Sequence, residues 1–254
     1  MNNTHKHNNL LAGWFLFLVL IFAVSLNRAF SQTPSDTATN KVIRAYRIPA
    51  NLIKIDGRLD EPVWSRVKGA TDFVQYDPIA GEPATKKSVV KIVFDKDAIY
   101  VAFKAYDDNP AAITSYLTRR DNYTPSDWLG IAFDSYNDKR TAFAFMVNPS
   151  DVKIDYKTYN DDYSDYDYNW DAIWDAKTAI FTNGWVAEFR IPLSQLRFSN
   201  GNNIEWGFQA WRVISRLNES DYWIYRPKET KRFVSIFGKT CNTRKFQKRQ
   251  ISTR

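Results

Sequence analysis

Apolar and polar side chains alternate through most of this chain in short runs, and that period of two is the mark of β-strands with one face buried. Residues 98–106 set Ile99, Val101, Phe103 and Ala105 on one side. Residues 128–134 do the same with Leu129, Ile131 and Phe133, and residues 141–147 with Phe143, Phe145 and Val147. A strand and turn are expected over residues 42–55, and further strands over 89–94, 172–181, 185–191, 204–215 and 221–225. Asp95-Lys96-Asp97 is a tight turn, and Asn183-Gly184 is a dipeptide that two-residue hairpin loops favour. One short helix is expected after Asp60, with Asp60 as its cap, Pro62 in the first turn, and Val63, Trp64 and Val67 turned inward. About nine short strands with one short helix and no internal repeat predict an all-β fold, an antiparallel β-sandwich of the jelly-roll or immunoglobulin-like kind. Trp64, Trp185 and Trp206 share faces with other apolar residues, so they are expected in its core.

The length of 254 residues with 44% hydrophobic content suits one such domain. Residues 1–31 fit a secretory signal peptide: a polar start with Lys6, an uncharged apolar run over 10–26, and Ala29-Phe30-Ser31 as a small-x-small cleavage site. A single membrane anchor is the rival reading, at the short limit for spanning. A polar linker follows over 32–41, then the sandwich over 42–238, then a basic tail over 239–254. The mature chain is expected in the periplasm, at the outer membrane or outside the cell, with no transmembrane segment.

Cleavage removes His5 and His7, the two histidines. A chain without histidine runs no Ser-His-Asp or Cys-His mechanism and builds no His-ligated zinc site. Cys241 is the single cysteine, which excludes an intrachain disulfide. The net charge of +7 is concentrated at the ends: Lys6 and Arg28 precede residue 32, and six basic residues follow Gly238, leaving 27 basic against 28 acidic residues between. A neutral body of this kind is not a nucleic-acid binder.

The most unusual stretch is residues 151–175, with eight Asp, five Tyr and two Trp. If residues 165–171 are extended, Asp165, Asp167, Asn169 and Asp171 face one way and Tyr166, Tyr168 and Trp170 the other. The first set offers hard oxygen donors suited to Ca²⁺. It is no EF-hand loop, since Trp170 stands where glycine is needed and Ala176 where glutamate is needed. The second set is an aromatic platform, to which Trp174 is a neighbour, and Trp211 with Gln209 and Glu205 forms another candidate strip. Aromatic faces suit sugars because the C–H side of a pyranose packs on a ring while its hydroxyls bond nearby polar groups. A carboxylate-based glycosidase would need two acids about 5 to 10 Å apart, and Asp134 with Glu188 is the candidate pair.

The ordered motifs IDGRLDEPVW, ATKKSVVKIVFDKDAIYVAFKAYDDNP, SDWLGIAFDSYNDKRTAFAFMVNPSDV and WDAIWDAKTAIFTNGWVAEFRIPLSQLRF resemble a family 9 carbohydrate-binding module over residues 55–238. The resemblance is closer to the version at the N-terminus of larger secreted or outer-membrane bacterial proteins. It implies a β-sandwich that binds sugars, bound calcium in characterised members, and company with glycoside hydrolases. By the same resemblance Asp60, Asp107 and Asp108 are further calcium candidates. The family's two clamping Trp positions correspond to Thr124, beside Tyr123, and to Lys231 or Arg232, while an Asn beside the site is kept as Asn148. Neither clamp position is Trp here, so a sugar site has to be built from other rings. Larger relatives continue past Phe237-Gly238, which makes this chain read as a truncated version or a fragment. The expected function is a secreted, non-catalytic glycan-binding domain accessory to polysaccharide breakdown, with structural Ca²⁺. The alternative is a scaffolding domain of an outer-membrane system that has lost sugar binding and docks on a protein partner.

Overall fold

The structure is a computed structural model that describes residues 41–198 and 205–242. The expected signal peptide, the linker up to residue 40 and the tail beyond Asn242 lie outside the described residues. The strands are β1 Val42–Arg47, β2 Val74–Asp77, β3 Ser88–Phe94, β4 Ala98–Tyr106, β5 Trp128–Asp134, β6 Ala142–Val147, β7 Lys153–Thr158, β8 Tyr166–Asp167, β9 Asp175–Phe181, β10 Gly184–Pro192, β11 Glu205–Ile214, β12 Glu219–Tyr222 and β13 Gly238–Asn242. One α-helix, α1 Pro62–Arg66, follows β1. The nine expected strands are present, and four more join them: β2, β7, β8 and β13.

The strands pair in the order β8-β7-β6-β5-β11-β13-β1-β3-β4-β10-β9, with β12 on the flank of β11 and β2 beyond it. This sheet curls on itself into two facing layers. Pairing is antiparallel throughout, except that β1 runs parallel to both its neighbours, β13 and β3. Inward-facing alternation from both layers supplies the main core, including Ile92, Phe103, Ile131, Phe145, Trp185, Phe189, Trp206 and Phe208. Each such fully buried side chain contributes about 1.5–3 kcal/mol through burial.

Two smaller cores lie on the outer faces. Helix α1 sets Trp64 and Val67 with Ile48 and Ile53 against Val93, Tyr100 and Ala102. The helix cap is Glu61 and not Asp60: Pro62 takes the first helical position, and Glu61 Oε2 accepts from Trp64 Nε1 at 3.0 Å. The other outer core covers β5, β6, β7 and β11 with Trp128, Met146, Ile154, Tyr156 and Trp211, roofed in part by Phe233, Val234 and Phe237.

Charge is also buried between the layers. Arg212 on β11 is fully buried, lies 3.6 Å from Asp107 and donates through Nη1 to the Tyr106 carbonyl at 2.9 Å. Arg216 grips both oxygens of Asp107 at 2.8 Å. Asp107 therefore has arginine for its counter-charge, and Asp108 has Lys86. Across the ladder from Arg212 sits buried Asp221. Burial, with Glu219 beside it, pushes Asp221 up to about 8 against the opposing pull of Arg212.

Candidate functional site

The outward face of β5 carries Trp128, Gly130 and Ala132, because Leu129, Ile131 and Phe133 are committed to the main core. Register then lays one row across five strands: Tyr222, Trp211, Gly130, Met146 and Ile154. A side chain on Gly130 would clash with the Trp211 indole, so glycine lets that ring lie flat over the strand. Tyr222 stacks on Trp211 at 6.3 Å and 22°, and Tyr76 meets Tyr222 edge-on at 5.7 Å. The Arg226 guanidinium lies 4.1 Å from the Tyr76 ring on one side and 4.1 Å from the Tyr163 ring on the other.

Exposed rings stand on this buried layer. Tyr123, 57% exposed, stacks on Trp128 at 5.4 Å and 17°. Trp128 Nε1 donates to the Thr124 carbonyl at 2.9 Å, which ties down the loop that carries Tyr123. Tyr166 and Tyr168, 39% and 52% exposed, both rest on Tyr156 at 5.1 and 5.4 Å. Burial raises Tyr166, and raises Tyr222 to about 12, with Arg226 pulling both the other way. Both hydroxyls therefore stay protonated at neutral pH.

The remaining expected site residues fall elsewhere. Trp174 and Trp211 are 2% and 4% exposed and offer no face to solvent. Trp174 lies parallel to Phe189 at 5.9 Å in the main core, while Trp211 is the underlayer just described. Trp170 is half-buried, its ring 5.0 Å from Phe143 and 5.8 Å from Phe145, so it closes the core and parts from Tyr166 and Tyr168. Asn148 is fully buried and spent on its own loop: Oδ1 accepts from Ser150 and Val152 at 3.0 Å, and Nδ2 donates to the Tyr116 carbonyl at 2.8 Å. Sequence reasoning passed over Tyr156, Trp128, Tyr222 and Arg226. The alternation of Ile154, Tyr156 and Thr158 was the signal for the first.

The expected ladder of calcium donors does not form. Asp165 accepts from Asn160 at 2.8 Å, Asp167 accepts from the Asn169 amide at 3.0 Å, and Asp171 turns toward Arg120. Among the described residues the acids that converge are Asp121, Asp155 and Asp171, whose oxygens lie within 4.8 Å of one another. Arg120 stands there already, ion-paired to Asp155 and 3.5 and 3.7 Å from Asp121 and Asp171. Buried Asp155 accepts from Arg120, from Trp174 Nε1 at 3.0 Å and from the Ala172 amide at 2.7 Å. These residues fit an arginine: Asp155 Oδ1 is shared by Arg120 and Trp174, and Oδ2 accepts from the Ala172 amide.

Asp134 and Glu188 are not brought together, for β5 and β10 lie in opposite layers and their inward faces are Leu129, Ile131, Phe133 and Trp185, Ala187, Phe189, which turns both acids outward. Each holds a turn instead. Asp134 accepts from the Asp138 and Lys139 amides, and Glu188 from the Asp56 and Gly57 amides at 3.0 and 2.8 Å. Burial raises them to about 6 and about 7.

A curled two-layer sheet with tyrosines exposed on one outer face, and with the expected acid pair held apart, suits binding. A family model described as "Carbohydrate family 9 binding domain-like" matches residues 55–214. The chain belongs to this family. As a family 9 binding domain it is a binding module and not an enzyme. Its fold is similar to that of a family 9 carbohydrate-binding module from Caldicellulosiruptor kristjanssonii solved with cellotriose. That match has TM-score 0.57 and 18% identity, and covers 84% of this chain and 98% of that one. The glucose complex of a family 9 module from the same organism matches with TM-score 0.57 and 19% identity, covering 84% and 100%. A putative carbohydrate-binding protein from Bacteroides uniformis matches with TM-score 0.58 and 10% identity, covering 80% and 100%. No curated protein matches the chain.

Proposed function

We propose that this family 9 domain binds a glycan across the face that carries Tyr123, Tyr166 and Tyr168. The observation that carries this reading is the mounting of three exposed rings on buried aromatics, which fixes their orientation before a ligand arrives. Pyranose C–H faces pack on the rings, and the protonated tyrosine hydroxyls bond to sugar hydroxyls. The cellotriose and glucose held by the similar modules support a glucose-based oligosaccharide as the first ligand to try. Secretion and an accessory role in polysaccharide breakdown belong to the same proposal. Calcium enters it only through Asp121, Asp155 and Asp171, where an ion would have to displace Arg120.

A second reading, docking on a protein partner, is favoured by one feature. At and beside the sheet edge formed by β9, Ile173 is 78% exposed and Ile180 52% exposed, and an open edge accepts a further strand.

The test is a polysaccharide-gel and glycan-array assay on the purified protein and on Tyr123→Ala and Tyr166→Ala. The proposal expects binding that falls about tenfold or more in each variant with little change in melting temperature. Silence across the array, or binding indifferent to both substitutions, turns the weight to the β9 edge.

A further inference from the structure

On the opposite layer, between α1 and the outer face of β3 and β4, lies a pocket of about 230 Å³. Its walls include Leu59, Trp64, Val89 and Tyr106, and Lys91 and Lys104 line it as well. Register makes the lysines diagonal neighbours, since Lys91 faces Ala102 and Lys104 faces Val89. Lys91 donates one N–H to the Trp64 carbonyl and keeps two. Lys104 rests over the Tyr106 and Phe181 rings at 4.9 and 4.5 Å and makes no hydrogen bond among the described residues. Lys87 adds a third ammonium 5.5 Å from the Tyr106 ring. None of the three lysines has an ion-pair partner among the described residues, and no carboxylate lines the pocket. The acid nearest by register is Glu188, opposite Ala102. It is engaged by the Asp56 and Gly57 amides and raised by burial to about 7. Burial and the neighbouring Lys104 together lower Lys91 from its ordinary range.

Two crowded ammonium groups without a counter-ion call for an anion, and apolar walls call for a body rather than a bare ion. At about 30 Å³ per water, the space holds roughly eight water-sized volumes, enough for one six-membered ring and its carboxylate. Polar partners for a ligand's own hydroxyls are few here: Ser65 donates its hydroxyl to the Pro62 carbonyl at 2.8 Å, which leaves the Tyr106 phenol and the two lysines. We propose that this pocket is a second binding site, separate from the tyrosine face, for a small carboxylate with a single, largely apolar ring. The carboxylate lies between Lys91 and Lys104, and the ring packs against Leu59, Trp64 and Val89.

Calorimetric titration of the purified protein with benzoate tests this, with glucuronate as the polar-ring carboxylate and glucose as the neutral control. Benzoate should bind more tightly than glucuronate, and glucose should give no signal from this pocket. Lys104→Gln, whose side chain is half-exposed, should weaken benzoate about tenfold, and Lys104→Arg should restore most of that loss. Melting curves check that both variants fold, and their glycan binding should match that of the parent. Silence with benzoate at millimolar concentration, tighter binding of glucuronate, or affinity unmoved by Lys104→Gln overturns the proposal.

Discussion

Arg120 stands where three carboxylates meet, and its removal tells an arginine-filled site from a calcium site. Asp121 is already raised by burial with Asp155 adding to it, so the cluster tolerates little further negative charge. In Arg120→Gln the oxygens of Asp121, Asp155 and Asp171 would face one another without a cation. That variant should melt lower than the parent in chelator and recover more on addition of Ca²⁺ than the parent does. An equal response of both proteins to Ca²⁺ would place the metal elsewhere. The residue scale is also where sequence reasoning reached least far. Asp155 looks like one of many acids in a polar run, yet it is fully buried because Arg120, Ala172 and Trp174 converge on it from other parts of the chain. Asn148 is spent on a loop, whereas Thr124 and Tyr123, where the resemblance set one clamp, lie beside Trp128 on the tyrosine face.

Among elements, β13 departs furthest from expectation. Its sequence, GKTCN, opens a basic stretch and shows little apolar periodicity, yet it lies between β1 and β11 in the sheet, with Lys239 ion-paired to Glu205 at 2.7 Å. A proline in such a strand removes a ladder hydrogen bond and clashes with its neighbours. Thr240→Pro should therefore cost roughly 3 kcal/mol or more, seen as a lower denaturant midpoint, whereas a solvated tail would take the change without effect. Strands β4, β5 and β6 were legible within one residue at each end, because their inner faces are unbroken runs of large apolar side chains. Strand β7 was hidden by Lys153, Asp155 and Lys157, whose charges mask the alternation of Ile154, Tyr156 and Thr158. An extended run over residues 165–171 would put Tyr166, Tyr168 and Trp170 on one side of the acidic stretch. The stretch is in fact a strand, a turn, a two-residue strand and a return to the core, so its rings divide between solvent and interior.

For the whole molecule, buried carboxylates set the response to pH. Asp134, Glu188 and Asp221 are raised, chiefly by burial, to about 6, about 7 and about 8. Unfolded, these groups titrate near their ordinary values of about 4. Between those limits the folded protein holds more protons than the unfolded chain, so its stability falls as pH rises through the folded values. The melting temperature should be higher at about pH 5 than at about pH 8, and Asp221→Asn should flatten that slope. A profile that rises over this range would mean that Arg212 holds Asp221 ionised. The sheet that carries these groups joins its first and last described strands, β1 and β13, side by side and parallel from Val42 opposite Lys239 to Ala45 opposite Asn242. If the domain is stretched between Lys41 and Asn242, the two strands are drawn in opposite directions along their shared axis. The hydrogen bonds between them then bear the load together in shear instead of opening one after another. The joint that completes the sandwich is thus also a mechanical clamp, strongest along the line on which a tethered module would be pulled.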